Sequence, residues 1–127
     1  MDSSETYIKM RMAAIPDLGI GTPSLRPFHF VKAIPDLSKQ VLIDVKGDWY
    51  HITKPGHECQ LERQDQLQAM VKLNLPELEM SFHDFCLHSI YARDARYLLS
   101  MEQLWLAFVM KENYGKIWEN EKWVVMQ

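Results

Sequence analysis

The sequence lacks the features that mark membrane and secreted proteins. Its longest uninterrupted apolar run is Leu104 to Met110, whereas a membrane-spanning helix needs about 20 residues. The first residues are acidic and polar, where a secretory signal would carry basic and then apolar residues. From these absences we expect a cytoplasmic protein with no membrane partner.

Cysteine and strong net charge are also scarce. Only Cys59 and Cys86 are present, and without an export signal we expect them to be free thiols in the core rather than a disulfide. The formal charge is −3, and the fourteen Lys and Arg residues are spread along the chain. No basic stripe is visible that would track phosphates, so we do not expect nucleic acid as a partner.

What is present is an ordinary globular composition. Apolar residues make up 47% and charged residues 24% of 127 residues, which excludes a disordered or fibrous chain. This length is close to the commonest domain size. The sequence therefore predicts one globular domain over residues 1–127.

Short apolar runs broken by proline and glycine predict β structure before residue 55. The expected strands are Tyr7 to Ala14, Phe28 to Ile34, Gln40 to Val45 and Trp49 to Thr53. The last two should form a hairpin, because a short loop containing glycine joins them. The pentapeptide Ala-Ile-Pro-Asp-Leu occurs twice, at 14–18 and 33–37. We interpret it as two strand ends rather than a duplication.

From residue 60 the apolar spacing becomes helical. Three helices are expected, about Leu61 to Asn74, about Phe82 to Arg96 and about residues 100–114. We expect Pro76 to end the first helix and Ser81 to begin the second. The third is apolar on every face between its predicted ends, so it should be the centre of the fold.

The last residues predict a β-hairpin. A two-residue turn at Asn120-Glu121 would place Trp118 opposite Trp123. The predicted fold class is therefore α+β: an N-terminal antiparallel meander of about four strands, three helices and a C-terminal hairpin around a single core.

Histidine and cysteine suggest a possible metal site. His57, Cys59, His83 and Cys86 together offer the donors that tetrahedral zinc prefers. The His57-x-Cys59 spacing is tighter than that of usual structural zinc sites. We therefore expect no cofactor, and keep a structural zinc site as an alternative to four unrelated core or surface residues.

Two catalytic hypotheses are weaker. His51-Ile52-Thr53 is similar to the His-x-Thr element that two-histidine phosphoesterases use twice, but no second copy is present. We therefore interpret His51 as a solvent-facing strand residue. A nucleophilic role for Cys59 or Cys86 would require a thiolate beside a base, and neither sequence context indicates one.

The order of helix, helix and hairpin after residue 80 also fits a winged helix-turn-helix, which would bind nucleic acid. Against this alternative, the helix that would enter the major groove is apolar, whereas base edges and phosphates need polar or basic side chains. The hairpin tip, Glu119 to Glu121, would bring two negative charges to phosphate.

The hypothesis that remains is a small non-enzymatic protein-binding module, an adaptor or inhibitor that covers a surface of a larger protein or of a second copy in a homodimer. Accessory proteins of phages that block host defence are one population of this kind. Trp and Tyr are favoured at interface hot spots. The predicted contact residues are Trp118, Trp123, Trp49 and Tyr50.

Overall fold

The computed structural model describes residues 2–21, 28–34, 39–44, 50–54, 57–88 and 100–126. These residues form five helices and six strands. In chain order they are α1 Glu5–Ala13, α2 Ile15–Leu18, β1 Phe28–Ile34, β2 Lys39–Asp44, β3 Tyr50–Lys54, β4 His57–Leu61, α3 Gln64–Gln68, α4 Leu75–His88, α5 Met101–Tyr114, β5 Lys116–Glu119 and β6 Lys122–Val125. The α+β class is confirmed, with two more helices than predicted.

The chain divides into two compact units. The N-terminal unit is Ser3–Glu62, and the C-terminal unit is Arg63–Gln127 together with Met1–Asp2. The single domain expected from length and composition stays a prediction. Among the described helices, none combines the length and the apolar character needed to cross a membrane.

The N-terminal unit contains a four-stranded antiparallel meander in the order β1-β2-β3-β4. The strand predicted at Phe28 to Ile34 has those bounds, and the predicted hairpin is the β2–β3 pair. Its buried centre includes Val41 and Ile52, which lie opposite each other across that pair. The residues joining β2 to β3 lie outside the described part of the chain.

The strand predicted at Tyr7 to Ala14 is wrong, because these residues belong to α1 and its C-cap. The Ser4 side chain caps the helix by accepting from the backbone N–H of Tyr7 at 3.2 Å. The segment is rich in Lys, Met, Arg and Ala, which favour a helix over a strand. The fourth strand of the meander is instead β4, which pairs with β3.

The repeated pentapeptide adopts two structures. At Ala14 to Leu18 it forms α2, with Pro16 in the first turn where a missing N–H costs nothing. At its second occurrence Ala33 and Ile34 end strand β1, and the remaining three residues lie outside the described chain. The first copy is therefore not the strand end that we predicted.

The first two predicted helix boundaries are also wrong. Helix α3 covers only Gln64–Gln68, and α4 begins at Leu75, upstream of the predicted start. Asn74 caps α4, since its Oδ1 accepts from the Glu77 N–H at 3.0 Å and its Nδ2 donates to the Glu77 carboxylate at 2.7 Å. Pro76 therefore opens a helix rather than ending one. The predicted end at Arg96 lies outside the described residues.

Helix α5 and the hairpin confirm their predictions. Ser100 Oγ caps α5 by accepting from the Gln103 N–H at 3.1 Å, and Gly115 ends it with φ 64°. Helix α5 is the buried centre of its unit, with every residue from Trp105 to Met110 buried. The hairpin has the predicted register, and its central residues Asn120 and Glu121 have φ of 53° and 60°, as a type I′ turn requires.

Candidate functional site

The aromatic rings of the C-terminal unit connect α4 with α5. Phe82 stacks on Trp105 with ring centroids 3.8 Å apart and planes 3° from parallel. Phe108 meets both rings edge-on, at 5.4 Å from Phe82 and 5.6 Å from Trp105. Such pairs contribute about 0.5–1.5 kcal/mol each beyond burial. The cluster therefore fixes the Phe82 and Trp105 rings in place.

Helix α3 packs against α5 from another side. The Leu67 side chain is fully buried. The segment after α3 is tied to α5 by Asn113, whose Nδ2 donates to the Met70 carbonyl at 3.1 Å. These contacts leave an opening where α3, α4 and α5 meet.

This opening is a pocket of about 420 Å³, which we call the α4 pocket. Helix α4 supplies most of its lining, since residues three or four apart share one face of a helix. The lining residues are Gln68, Leu75, Leu78, Glu79, Phe82, His83, Cys86 and Trp105. Leu78 is buried and Leu75 is 67% exposed. The pocket thus joins an apolar wall to a rim that carries Gln68, Glu79 and His83.

The indole of Trp105 is the unusual polar group in this lining. The side chain is 6% exposed, and its Nε1 is buried without an acceptor among the described residues. An indole N–H can only donate, and a buried donor without a partner costs about 1–3 kcal/mol. Most buried polar groups in folded proteins do have partners. Because the Nε1 atom itself has almost no accessible surface, it is closed off from the opening of the pocket.

Helix α4 carries three acidic residues. Glu77, Glu79 and Asp84 are exposed, and Leu75–His88 contains no Lys or Arg. Glu77 shares its carboxylate with the Asn74 cap at the start of the helix. Of these three carboxylates only Glu79 belongs to the pocket lining, because Glu77 and Asp84 lie on the opposite face of the helix.

The four residues of the predicted zinc site are divided between the two units. His83 and Cys86 line the α4 pocket, whereas His57 and Cys59 belong to β4. The His57 side chain lies outside what the structure describes. Within the described chain, no three His, Cys, Asp or Glu side chains are grouped to hold a metal ion.

Burial disfavours the thiolate form of both cysteines. Burial raises the pKa of Cys59 to about 11, with a smaller opposing effect from the Arg11 charge. Burial also raises the pKa of Cys86. Because the thiolate is both the nucleophile and the metal ligand, these environments support neither role at neutral pH.

The aromatic residues predicted to bind a partner lie in different structural environments. Trp118 and Trp123 face each other across the hairpin with ring centroids 5.0 Å apart, and both are half-buried. Tyr50 is half-buried on β3, and Trp49 lies outside the described residues. Their role in binding stays a prediction.

The interpretation of His51 as a solvent-facing residue is wrong. Its side chain is 1% exposed, and its neighbour Ile52 on the opposite face of β3 is 2% exposed. Strand β3 is an inner strand of the meander, and at this point both of its faces are covered.

A buried ion pair in the N-terminal unit was not predicted from the sequence. Arg11 Nε lies 2.5 Å and Nη2 lies 3.1 Å from the two carboxylate oxygens of Glu62, and both side chains are fully buried. Nη2 also donates to the Gly19 carbonyl at 2.8 Å, and the Tyr7 hydroxyl donates to the Glu62 carbonyl at 2.7 Å. Burial lowers the pKa of Arg11, but hydrogen bonding and attraction to Glu62 outweigh it and raise the pKa above its usual value.

Sequence reasoning also missed the α4 pocket, although a signal was present. Leu75, Leu78, Phe82 and Cys86 are spaced as on one face of a continuous helix. The assumption that Pro76 ends a helix divided this pattern in two. The Asn-x-x-Glu capping pattern at Asn74 would have identified the helix start.

Comparison with protein-family models, with curated proteins and with solved structures gives no match to this chain.

Proposed function

We propose that this chain is a non-enzymatic protein-binding module, an adaptor or inhibitor, and that its C-terminal unit makes the contact through the α4 pocket. The observation that carries the proposal is the α4 pocket itself, an opening of about 420 Å³ with Leu78, Phe82 and Trp105 in its lining. Concave apolar sites with a few polar groups are the usual form of a binding site.

The physical properties of the pocket favour contact over chemistry. Its titratable side chains are the thiol of Cys86, whose pKa is raised by burial, the exposed imidazole of His83 and the exposed carboxylate of Glu79. The rest of the lining offers apolar surface and hydrogen bonds. Aromatic anchors seated in pockets supply much of the affinity in protein interfaces.

The nucleic-acid alternative has less support. Residues Trp105 to Met110, in the middle of the helix that would enter the major groove, are buried within their own unit. The hairpin tip at Glu119 and Glu121 is exposed and acidic, which disfavours contact with phosphate.

The test is affinity capture from a cell lysate with two matched variants of α4. Leu75→Gln removes apolar surface at the pocket, while Leu87→Gln makes the same change on the same helix outside the lining. Leu75 is 67% and Leu87 is 51% exposed, so both variants should fold. Native mass spectrometry of the eluate identifies a larger protein or a second copy of this chain.

We expect the same protein to be retained by the wild type and by Leu87→Gln, and to be lost or strongly reduced with Leu75→Gln. Equal retention by Leu75→Gln contradicts a contact at the pocket. The absence of any protein retained above bare resin contradicts the binding function itself.

A further inference from the structure

We infer that residues 19–21, Gly19-Ile20-Gly21, form a strap that opens and closes locally over the buried Arg11–Glu62 pair while the four-stranded sheet stays folded. The strap and the ion pair both belong to the N-terminal unit, whereas the α4 pocket belongs to the C-terminal unit. This conformational device is therefore separate from the proposed binding function.

The two glycines of the strap lie directly against the ion pair. The Gly19 carbonyl accepts a hydrogen bond from Arg11 Nη2 at 2.8 Å. A Cβ added to Gly21 would lie 3.1 Å from Glu62 Oε2, so the backbone of Gly21 approaches the carboxylate closely. In this closed position of the strap, both charged side chains are fully buried.

The middle of the strap pairs with the edge of the sheet. Strand β4 is the last in the order β1-β2-β3-β4, and its Gln60 N–H donates to the Ile20 carbonyl at 2.8 Å. Loops that cover an edge strand in this way satisfy backbone groups that would otherwise be open to another chain. The Gln60 N–H therefore reports directly on whether the strap is closed.

Both glycines have backbone angles that suit a hinge. Gly19 has φ 70° and ψ −169°, and Gly21 has φ 79°. Residues with a Cβ rarely adopt such angles, whereas glycine moves between positive and negative φ at little cost. Hinges are a few residues at the ends of elements that absorb large changes of φ and ψ. Gly19 lies at such a position, as the C-cap of α2.

The balance of contacts favours opening without global unfolding. Ile20 is 53% exposed and both glycines are exposed, so opening costs two hydrogen bonds but little apolar burial. It also lets water reach the guanidinium of Arg11, whose Nη1 is buried without a partner among the described residues, and this removes a desolvation cost. Segments with few buried apolar contacts are those that open locally.

The experiment is amide hydrogen exchange of the full chain, followed by nuclear magnetic resonance at several low urea concentrations. We expect the Gln60 N–H to exchange at a free energy below that of global unfolding. We also expect this free energy to change little with urea, because a local opening exposes little surface. This measurement needs no substitution, so it does not depend on the folding of a variant.

Two matched glycine variants test the role of the hinge. Gly19→Ala strains the closed strap through its backbone alone, since a Cβ there has nothing within 4 Å, and should speed Gln60 exchange about tenfold. Gly115→Ala makes the same change at a glycine with φ 64° and equally open surroundings, in the C-terminal unit. It should leave Gln60 exchange unchanged. Far-ultraviolet circular dichroism verifies that both variants are folded.

Two results would overturn the strap. One is a Gln60 N–H that exchanges only at the free energy and with the urea dependence of global unfolding. The other is an equal effect of Gly19→Ala and Gly115→Ala on Gln60 exchange, which would show that this amide responds to overall stability and not to the strap.

Discussion

Replacement of Glu62 by Gln tests how strongly the buried ion pair holds the N-terminal unit. Both side chains are fully buried, and Arg11 makes two hydrogen bonds to the carboxylate. The variant leaves the Arg11 charge uncompensated inside the protein. Removal of one partner of a buried pair costs about 3–5 kcal/mol, a large share of the roughly 5–15 kcal/mol that stabilises a typical domain. We expect a fall of that size in the free energy of unfolding.

The double variant Arg11→Met, Glu62→Leu provides the control. It replaces the pair by apolar side chains and also removes Arg11 Nη1, which is buried without a partner among the described residues. Apolar replacement of a buried pair is often neutral or stabilising, although here the Gly19 carbonyl also loses its donor. We therefore expect the double variant to be more stable than either single variant.

Urea unfolding followed by far-ultraviolet circular dichroism measures Glu62→Gln and the four proteins of the cycle, which are the wild type, Arg11→Met, Glu62→Leu and the double variant. The coupling between the two substitutions should be about 2 kcal/mol or more. A loss of less than about 1 kcal/mol for Glu62→Gln, the value typical of a surface pair, would refute the buried-pair reasoning. The same conclusion follows if the single losses simply add in the double variant.

Three further predictions concern stability. Gly21→Ala should lower the free energy of unfolding by about 1–3 kcal/mol, because Gly21 has φ +79° and a Cβ there would lie 2.5 Å from Gln60 Oε1. An unchanged midpoint in urea unfolding would contradict this prediction. Glu121→Gly should raise the free energy of unfolding by about 0.5–1 kcal/mol, since Glu121 has φ 60°, and a lowered melting temperature would be the opposite result. The pKa of Cys59 is raised to about 11 in the folded protein, whereas that of an unfolded thiol is about 8.5. The protonated thiol therefore stabilises the fold fully below about pH 8.5, and this stabilisation is lost as the pH rises towards 11. Cys59→Ala should show a shallower decline over that range, and identical slopes in the two proteins would disprove the contribution.

The elements that the sequence predicts correctly are those with complete local signals. Helix α5 has a Ser100 cap at one end and Gly115 at the other, and the hairpin has three chemically matched pairs in one register. Local interactions alone are sufficient to define such segments. Strand β1 is similar, because the β-rich run from Phe28 to Ile34 is bounded by proline on both sides.

The elements that the sequence predicts wrongly depend on distant partners. The alternation in Tyr7 to Ala14 resembles a strand, but Arg11 is buried because Glu62, far along the chain, pairs with it. The first copy of the pentapeptide forms helix α2 directly after α1, whereas the second copy ends strand β1. Tertiary context therefore decides structures that local propensity leaves open.

The candidate site shows the same limit. His83 and Cys86 were singled out as metal ligands, and they do lie together, but as lining of an apolar pocket. The pocket depends on the stacking of Phe82 on Trp105, a contact between two helices that the spacing of residues on one helix does not reveal.

The most direct test of the central claim is the nitrogen–proton correlation spectrum of the four tryptophan side chains during titration with the protein captured from the lysate. The Trp105→Phe variant assigns the relevant indole signal. The account predicts that the Trp105 N–H signal shifts, because this residue lines the pocket, while the signals of Trp118 and Trp123 stay in place. A shift confined to Trp118 and Trp123, with the Trp105 signal unchanged, would contradict binding at the α4 pocket.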